Sequence, residues 1–277
     1  MDSTSETQIT EIQNNEKKRS LILSAVLSLV TPGLGHLYNG KVKIAILIPI
    51  IFLVITNIIY QTSLIKSFTF FVVLVVFVII TYIFTMIHSM VLAKHNNNFE
   101  IKRFNRLAIY ILWPILFFSI REITPANHSI HTFRIPTTGM ENTLKVDDLI
   151  MADMEFYTHH KVQRNDVVLF KGSKDNLIRI KRVIALGGEK IKIDSGNIFI
   201  NGKNYKEDNP NIIYETDNFV DIDEFAIPEN QFYLLGDNRP DSFDSREFGA
   251  VPDSLIIGKP VYIYAGEKFD RIGKYVY

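Results

Sequence analysis

Residues Phe68–Ala93 read FTFFVVLVVFVIITYIFTMIHSMVLA, with no Asp, Glu, Lys or Arg. That run exceeds the roughly 20 apolar residues needed to cross a bilayer. A spanning segment must satisfy its backbone internally, so the run is expected as a helix. Ile44–Tyr60 (IAILIPIIFLVITNIIY) is also uncharged and just long enough to cross. Leu107–Ile120 is shorter and carries Trp113 and Pro114, which suits a third, marginal span bent at its proline. His88 is expected as a tolerated interfacial side chain. Leu21–Tyr38 is interrupted by Thr31-Pro32-Gly33 and Gly35. It either crosses as a broken helix or forms a re-entrant or interfacial hairpin. Its Pro-Gly-Leu-Gly-His-Leu-Tyr-Asn-Gly stretch resembles small paired-helix membrane modules of bacterial proteins, a pattern that implies no chemistry by itself.

Charge orients these segments. Lys17, Lys18 and Arg19 precede the first, Lys41 and Lys43 follow it, and Lys94, Lys102, Arg103 and Arg106 lie between the last two. The positive-inside rule places all three groups in the cytoplasm. That holds if 21–38 does not fully cross and the next three segments do, which leaves the C-terminal half outside; four full spans is the alternative. The first fifteen residues are polar and acidic, unlike a cleavable signal peptide. The chain therefore divides into a polar cytoplasmic tail (1–19), a membrane region with three or four hydrophobic segments (20–121) and an extracytoplasmic domain (125–277). Lys plus Arg equals Asp plus Glu at 30 each, so nothing points to nucleic acid as a partner. With no cysteine, disulfides and thiolate metal sites are excluded.

From 125 onward the pattern is that of short strands. Asp166–Phe170, Ile178–Ala185, Lys190–Asp194, Ile198–Asn201, Phe232–Leu235 and Ile256–Tyr264 are apolar-rich runs. Turn signals such as Ser195-Gly196-Asn197 and Asn201-Gly202-Lys203 separate several of them. No long helical period occurs, so this half is expected to be all-β with antiparallel sheets.

Four stretches carry a family likeness: IPTTGMENTL (135–144), RNDVVLF (164–170), IRIKRVIALGGEKI (178–191) and LLGDNRPDSFDSREFGAV (235–251). Together they resemble the bacterial type I signal peptidases, the S26 family of membrane-anchored serine proteases with a Ser-Lys dyad. The resemblance implies an antiparallel β catalytic domain with a small inserted β-subdomain, here about 187–231. The family's first box reads Pro-Ser-Gly-Ser-Met-x-Pro-Thr-Leu, and its second serine is the nucleophile. Pro136, Met140, Thr143 and Leu144 match it. Thr137 falls on the serine whose hydroxyl helps form the oxyanion hole, Thr138 on the glycine, and Gly139 on the nucleophile. Lys181 falls on the general base, Ser242 on the serine that orients it, and Asp244 and Arg246 on a supporting ion pair. The implied partners are signal peptides of secretory preproteins, the lipid bilayer and the secretion translocon, in the bacterial cytoplasmic membrane, with no cofactor and no metal.

The chemistry of such a site is specific. A hydroxyl must attack the carbonyl to give an ester intermediate, and a lysine serves as base only when neutral, a form that apolar burial favours. Ile178, Ile180, Val183 and Ile184 supply apolar flanks for Lys181, and its charged neighbours Arg179 and Arg182 are expected to turn away from it. Gly139 keeps a backbone N–H for an oxyanion, and Thr137 can add a hydroxyl. The attacking oxygen is missing. Losing a serine nucleophile costs about a million-fold in rate, and binding plus the oxyanion hole leave about a thousand-fold over water. The expectation is a severely impaired peptidase, with three routes left to activity: Thr138, Thr137 or a water activated by Lys181. The alternative is a module that binds signal peptides without cutting them. His159-His160 lack further ligands at metal spacing and read as a solvated loop. His128 and His131 read as interfacial, and Asp237-Asn238-Arg239 as a structural turn.

Overall fold

The structure, a computed structural model, describes residues 19–95, 106–123, 129–173, 175–214 and 220–277. The tail up to Lys18, the cations Lys102 and Arg103, and His128 lie outside the described residues. The chain divides into two compact units, Met1–Asn127 and His128–Tyr277.

The first unit is helical. Helices α1 (Leu21–Val30) and α2 (Leu34–Tyr38) flank the Thr31-Pro32-Gly33 break, followed by α3 (Val42–Gln61), α4 (Phe68–His95) and α5 (Leu107–Ile123). By length and composition α3 and α4 are able to cross a membrane. The 10-residue α1 is about 15 Å long, half the thickness of a hydrocarbon core. A polar seam holds α1 and α2 to α4. Ser24 Oγ donates to the Ser89 carbonyl at 2.9 Å, and Ser28 Oγ to Ser89 Oγ at 2.9 Å. Asn39 Nδ2 reaches Ser24 Oγ and the Ser89 carbonyl, both at 2.8 Å. His88, read from sequence as a tolerated interfacial residue, instead meets the buried His36 ring, Nδ1 to Nε2 at 2.8 Å. The seam requires backbone contact at Gly35. A Cβ there would stand 2.1 Å from Ser28 Oγ and 2.4 Å from the Ser24 carbonyl oxygen.

The described residues of the second unit form two antiparallel sheets. Its strands are β1 (Ile130–Arg134), β2 (Leu149–Asp153), β3 (Val167–Lys171), β4 (Ile178–Leu186), β5 (Lys190–Asp194), β6 (Asn197–Ile200), β7 (Lys203–Tyr205), β8 (Ile222–Ala226), β9 (Gln231–Leu235), β10 (Val251–Pro252) and β11 (Ile256–Ala265). The larger sheet has the order β1-β2-β11-β3-β4-β9-β10, and the smaller β7-β6-β5-β8. The two expected turns join β5 to β6 and β6 to β7, with Ser195, Gly196, Asn201 and Gly202 all at positive φ. Helices in this unit are single turns, α6 (Phe156–His159) and α7 (Ser245–Phe248). The all-β expectation holds here, and the element boundaries differ by a residue or so. Strands β1, β2, β7, β8 and β10 were not anticipated: β7 and β10 are only three and two residues long, IHTFR is polar enough to pass for a loop, and in LIMAD four successive side chains are buried, so no alternation shows.

Strand β4 positions the site. From Lys181 to Ala185 every side chain is buried, so both faces of the strand are covered. Its neighbours β3 and β9 set Val168 opposite Lys181 and Leu235 opposite Arg182. Gly35→Ala is expected to destabilise the first unit by about 1–3 kcal/mol through overpacking, read as a lower melting midpoint of the full chain in detergent. An unchanged midpoint would show that α2 is not held against the serines as described.

Candidate active site

The loop between β1 and β2 is fixed from below. Ile135, Met140 and Leu144 are buried in a core shared with Ile150, Val167, Ile263 and Val276. Main-chain bonds close the loop: Ile135 N to the Asp148 carbonyl at 2.9 Å and Leu144 N to the Met140 carbonyl at 2.7 Å. Arg271 holds it from the far end of the chain. Its guanidinium pairs with Asp148 at 2.6 Å and donates to the carbonyls of Asn142 and Thr143 at 3.2 and 2.9 Å. With its apolar residues turned down, the loop presents Thr137, Thr138 and Gly139 to a groove of about 570 Å³, which Lys181, Asp241 and Phe243 also line.

Gly139 and Lys181 are in contact. A Cβ built on Gly139 would lie 2.7 Å from Lys181 Nζ, and 3.7 Å from Ser242 Cα. Lys181 Nζ donates to Ser242 Oγ at 2.9 Å. Lys181 and Ser242 are only 6% and 8% exposed, so this pair stands nearly out of water. Burial pushes the Lys181 amine below the usual lysine range, outweighing the carboxylates of Asp244 and Asp237, which act the other way. The Ser242 hydroxyl in turn lies against Gly236, where an added Cβ would stand 2.1 Å from Ser242 Oγ and 2.3 Å from the Gly139 carbonyl oxygen. Only a glycine permits that approach.

Asp244 and Arg246 stabilise the segment that carries Ser242. Arg246 Nε meets Asp244 Oδ1 at 2.9 Å. Asp244 also accepts from Gly236 N at 3.0 Å and caps α7 in a reciprocal capping box with Glu247. Thr137 is exposed and lines the groove, whereas Thr138 donates its hydroxyl to the Asp241 carboxylate. Among the sequence-derived positions, the structure thus brings Gly139, Lys181 and Ser242 together, keeps Thr137 beside them and places Asp244 with Arg246 in support. His159 and His160 are exposed, and among the described residues no group of three or more His, Cys, Asp or Glu is placed to hold a metal.

One expectation is corrected. Arg179, two residues along β4, shares the side of Lys181 and lines the same groove, because strand side chains repeat every second residue. Its charge is met by Asp175 at 2.6 Å, and it lies 5.7 Å from the centre of the Phe243 ring. Arg182 does turn away. The Asp237-Asn238-Arg239 turn is held by its side chains: Asp237 takes two bonds from Arg182, at 2.8 and 2.6 Å, and a third from the Thr143 hydroxyl. Arg239 meets Glu207 at 2.5 Å. Sequence reasoning missed Asp241 and Arg271 altogether. Asp241 sits one residue before Ser242 and could have been suspected; Arg271 lies 123 residues from Asp148 and carries no local signal. Asp237→Ala leaves Arg182 buried and unpaired, and should cost about 3–5 kcal/mol. Denaturant unfolding of the full chain in detergent reads this loss; a cost below about 1 kcal/mol would show that the pair does not hold the loop to β4.

Comparison with known proteins adds to this geometry. The family model described as "Signal peptidase, peptidase S26" matches residues 105–265. Signal peptidase I of Leptolyngbya laminosa is 33% identical, over 46% of this chain and 64% of its own length. Thylakoidal processing peptidase 1 of Arabidopsis thaliana is 31% identical, over 47% of this chain and 40% of the relative. Signal peptidase I V of Bacillus subtilis is 30% identical, over 46% of this chain and 80% of the relative. The chain thus spans less than two thirds of the Leptolyngbya and Arabidopsis proteins.

Proposed function

The chain belongs to the signal peptidase family, peptidase S26, and on that footing we propose that its groove binds the signal peptides of secreted preproteins, with cleavage severely impaired by Gly139. Helices α3 and α4 anchor the protein in a bacterial cytoplasmic membrane as part of a multi-pass region (20–121), with α5 as a marginal further span. The domain 125–277 is extracytoplasmic and meets preproteins beside the translocon. Residues of about 187–231 form the inserted subdomain.

In this reading each group in the groove keeps its part except the nucleophile. Lys181 is the general base, Ser242 orients it, the Gly139 N–H and Thr137 hydroxyl receive the oxyanion, and Asp244 with Arg246 fixes the segment beneath. Small side chains at the −1 and −3 positions of the substrate fit shallow pockets beside the loop. The observation that carries the proposal is the 2.7 Å between Lys181 Nζ and the point where a Cβ of residue 139 would stand. A base and a nucleophile must lie within hydrogen-bond reach, and the amine occupies that place beside a residue with no side chain. Thr138 does not substitute, since its hydroxyl is engaged by Asp241.

Restoring the oxygen tests the reading. In detergent, full-length Gly139→Ser should cleave a signal-peptide-bearing precursor about 10³- to 10⁶-fold faster than the unsubstituted chain. Lys181→Ala in that background should abolish the gain. The Lys181 amine is the flexible end of its side chain and must shift to make room for the added Cβ and hydroxyl. Silence of Gly139→Ser, or full-rate cleavage by the unsubstituted chain, would overturn the proposal. The pH profile adds a second check. A base works only when unprotonated, so cleavage by Gly139→Ser should rise with pH, with its inflection below the usual lysine range because burial disfavours the ammonium. An inflection at or above that range would remove Lys181 as the base.

A further inference from the structure

The Lys181 amine is not without a hydroxyl. Its hydrogen-bond partner is Ser242 Oγ at 2.9 Å, both residues are nearly buried, and Thr138 is engaged elsewhere. A neutral amine carries a lone pair, so the same contact can run in reverse, with the hydroxyl donating to the nitrogen. That is the arrangement of a nucleophile and its base. Ser242 also starts from the right place. Its Cα lies 3.7 Å from where a residue-139 Cβ would stand, so side chains from the two positions would begin at neighbouring points. With glycine at 139 no side chain from that residue separates Ser242 from Lys181, and the residues on either side of Ser242, Asp241 and Phe243, line the groove.

We propose that in this chain Ser242 is the nucleophile of a residual acyl-transfer activity, with Lys181 as its base. The inference rests on the groove being a peptide-hydrolase site. In the first step Ser242 Oγ turns about χ1 from Gly236 toward the space beside Gly139. Its proton passes to Lys181 Nζ as Oγ bonds to the substrate carbonyl carbon. The peptide C–N bond then breaks, and the leaving amine takes the proton back from Lys181. Water, deprotonated by the same amine, hydrolyses the ester, returning the hydroxyl and releasing a carboxylic acid. The Gly139 N–H stays on the carbonyl side of the step as an oxyanion donor.

The test is to incubate the full-length chain in detergent with the p-nitrophenyl ester of an acetylated Ala-Leu-Ala peptide and to locate the acyl group by mass spectrometry. Expected is one acyl group on Ser242, released by alkaline hydroxylamine as an oxygen ester is, and lost in both Ser242→Ala and Lys181→Ala. In Gly139→Ser it should move to position 139. Locating the adduct in the unsubstituted chain requires no variant to fold, and a purely orienting role for Ser242 would place no acyl group on it. A hydroxylamine-stable adduct on Lys181, or an adduct on Thr137 or Thr138, overturns the proposal. So does an unsubstituted chain that takes no acyl group while Gly139→Ser does, and that outcome leaves the proposed function standing. If neither takes one, both fall.

Discussion

Asp237 is the point on which the second unit turns. Its fully buried carboxylate takes two N–H groups from Arg182 and the hydroxyl of Thr143. A carboxylate and a guanidinium out of water are each costly alone and tolerable only together with well-made hydrogen bonds. One carboxylate thereby ties three distant stretches: the loop bearing Gly139, the strand bearing Lys181 and the segment bearing Ser242. The bidentate form adds direction to strength, because a planar fork fits a carboxylate in few ways. Positions in the groove, down to the 2.9 Å between Lys181 and Ser242, follow from how that knot is drawn.

The side-chain period of β4 makes this possible. Adjacent residues on a strand point to opposite faces. Arg182 looks toward Asp237 and is bound by it at 2.6 Å, while Lys181 looks into the groove and donates to Ser242. Their burial is almost equal, yet their electrostatic fates diverge. Two neighbouring basic residues thus serve opposite ends, one in an ion pair that organises the fold and one as an amine that burial shifts toward the neutral form.

Much of this was legible in the residues. Long uncharged runs announced α3 and α4, and Ser195-Gly196 and Asn201-Gly202 announced two hairpins, because local sterics alone fix such features. The strand around Lys181 was readable because isoleucines and a valine at 178, 180, 183 and 184 mark an apolar-rich run between turn signals. What local pattern cannot express is pairing at a distance. Arg271 and Asp148 are far apart in sequence, and nothing beside either predicts the other. Arg179 was misjudged by a simple slip of parity, since a residue two positions away shares a face. Thr138 looked like a spare hydroxyl until Asp241 was seen across from it. The polar seam of the first unit was hidden too, since serines and an asparagine spread over three segments show no common pattern until the helices meet.

The clamp by Arg271 has a consequence for the order in which the groove is completed. Residues 271–276 come after every strand, yet Arg271 holds two carbonyls of the loop and Val276 packs in the core beneath Met140 and Leu144. During synthesis β4 and the Ser242 segment are made well before them. A chain that has not reached Arg271 lacks the bonds that fasten this loop. The loop bearing Gly139 therefore takes its final shape only after Arg271 and Val276 have been made.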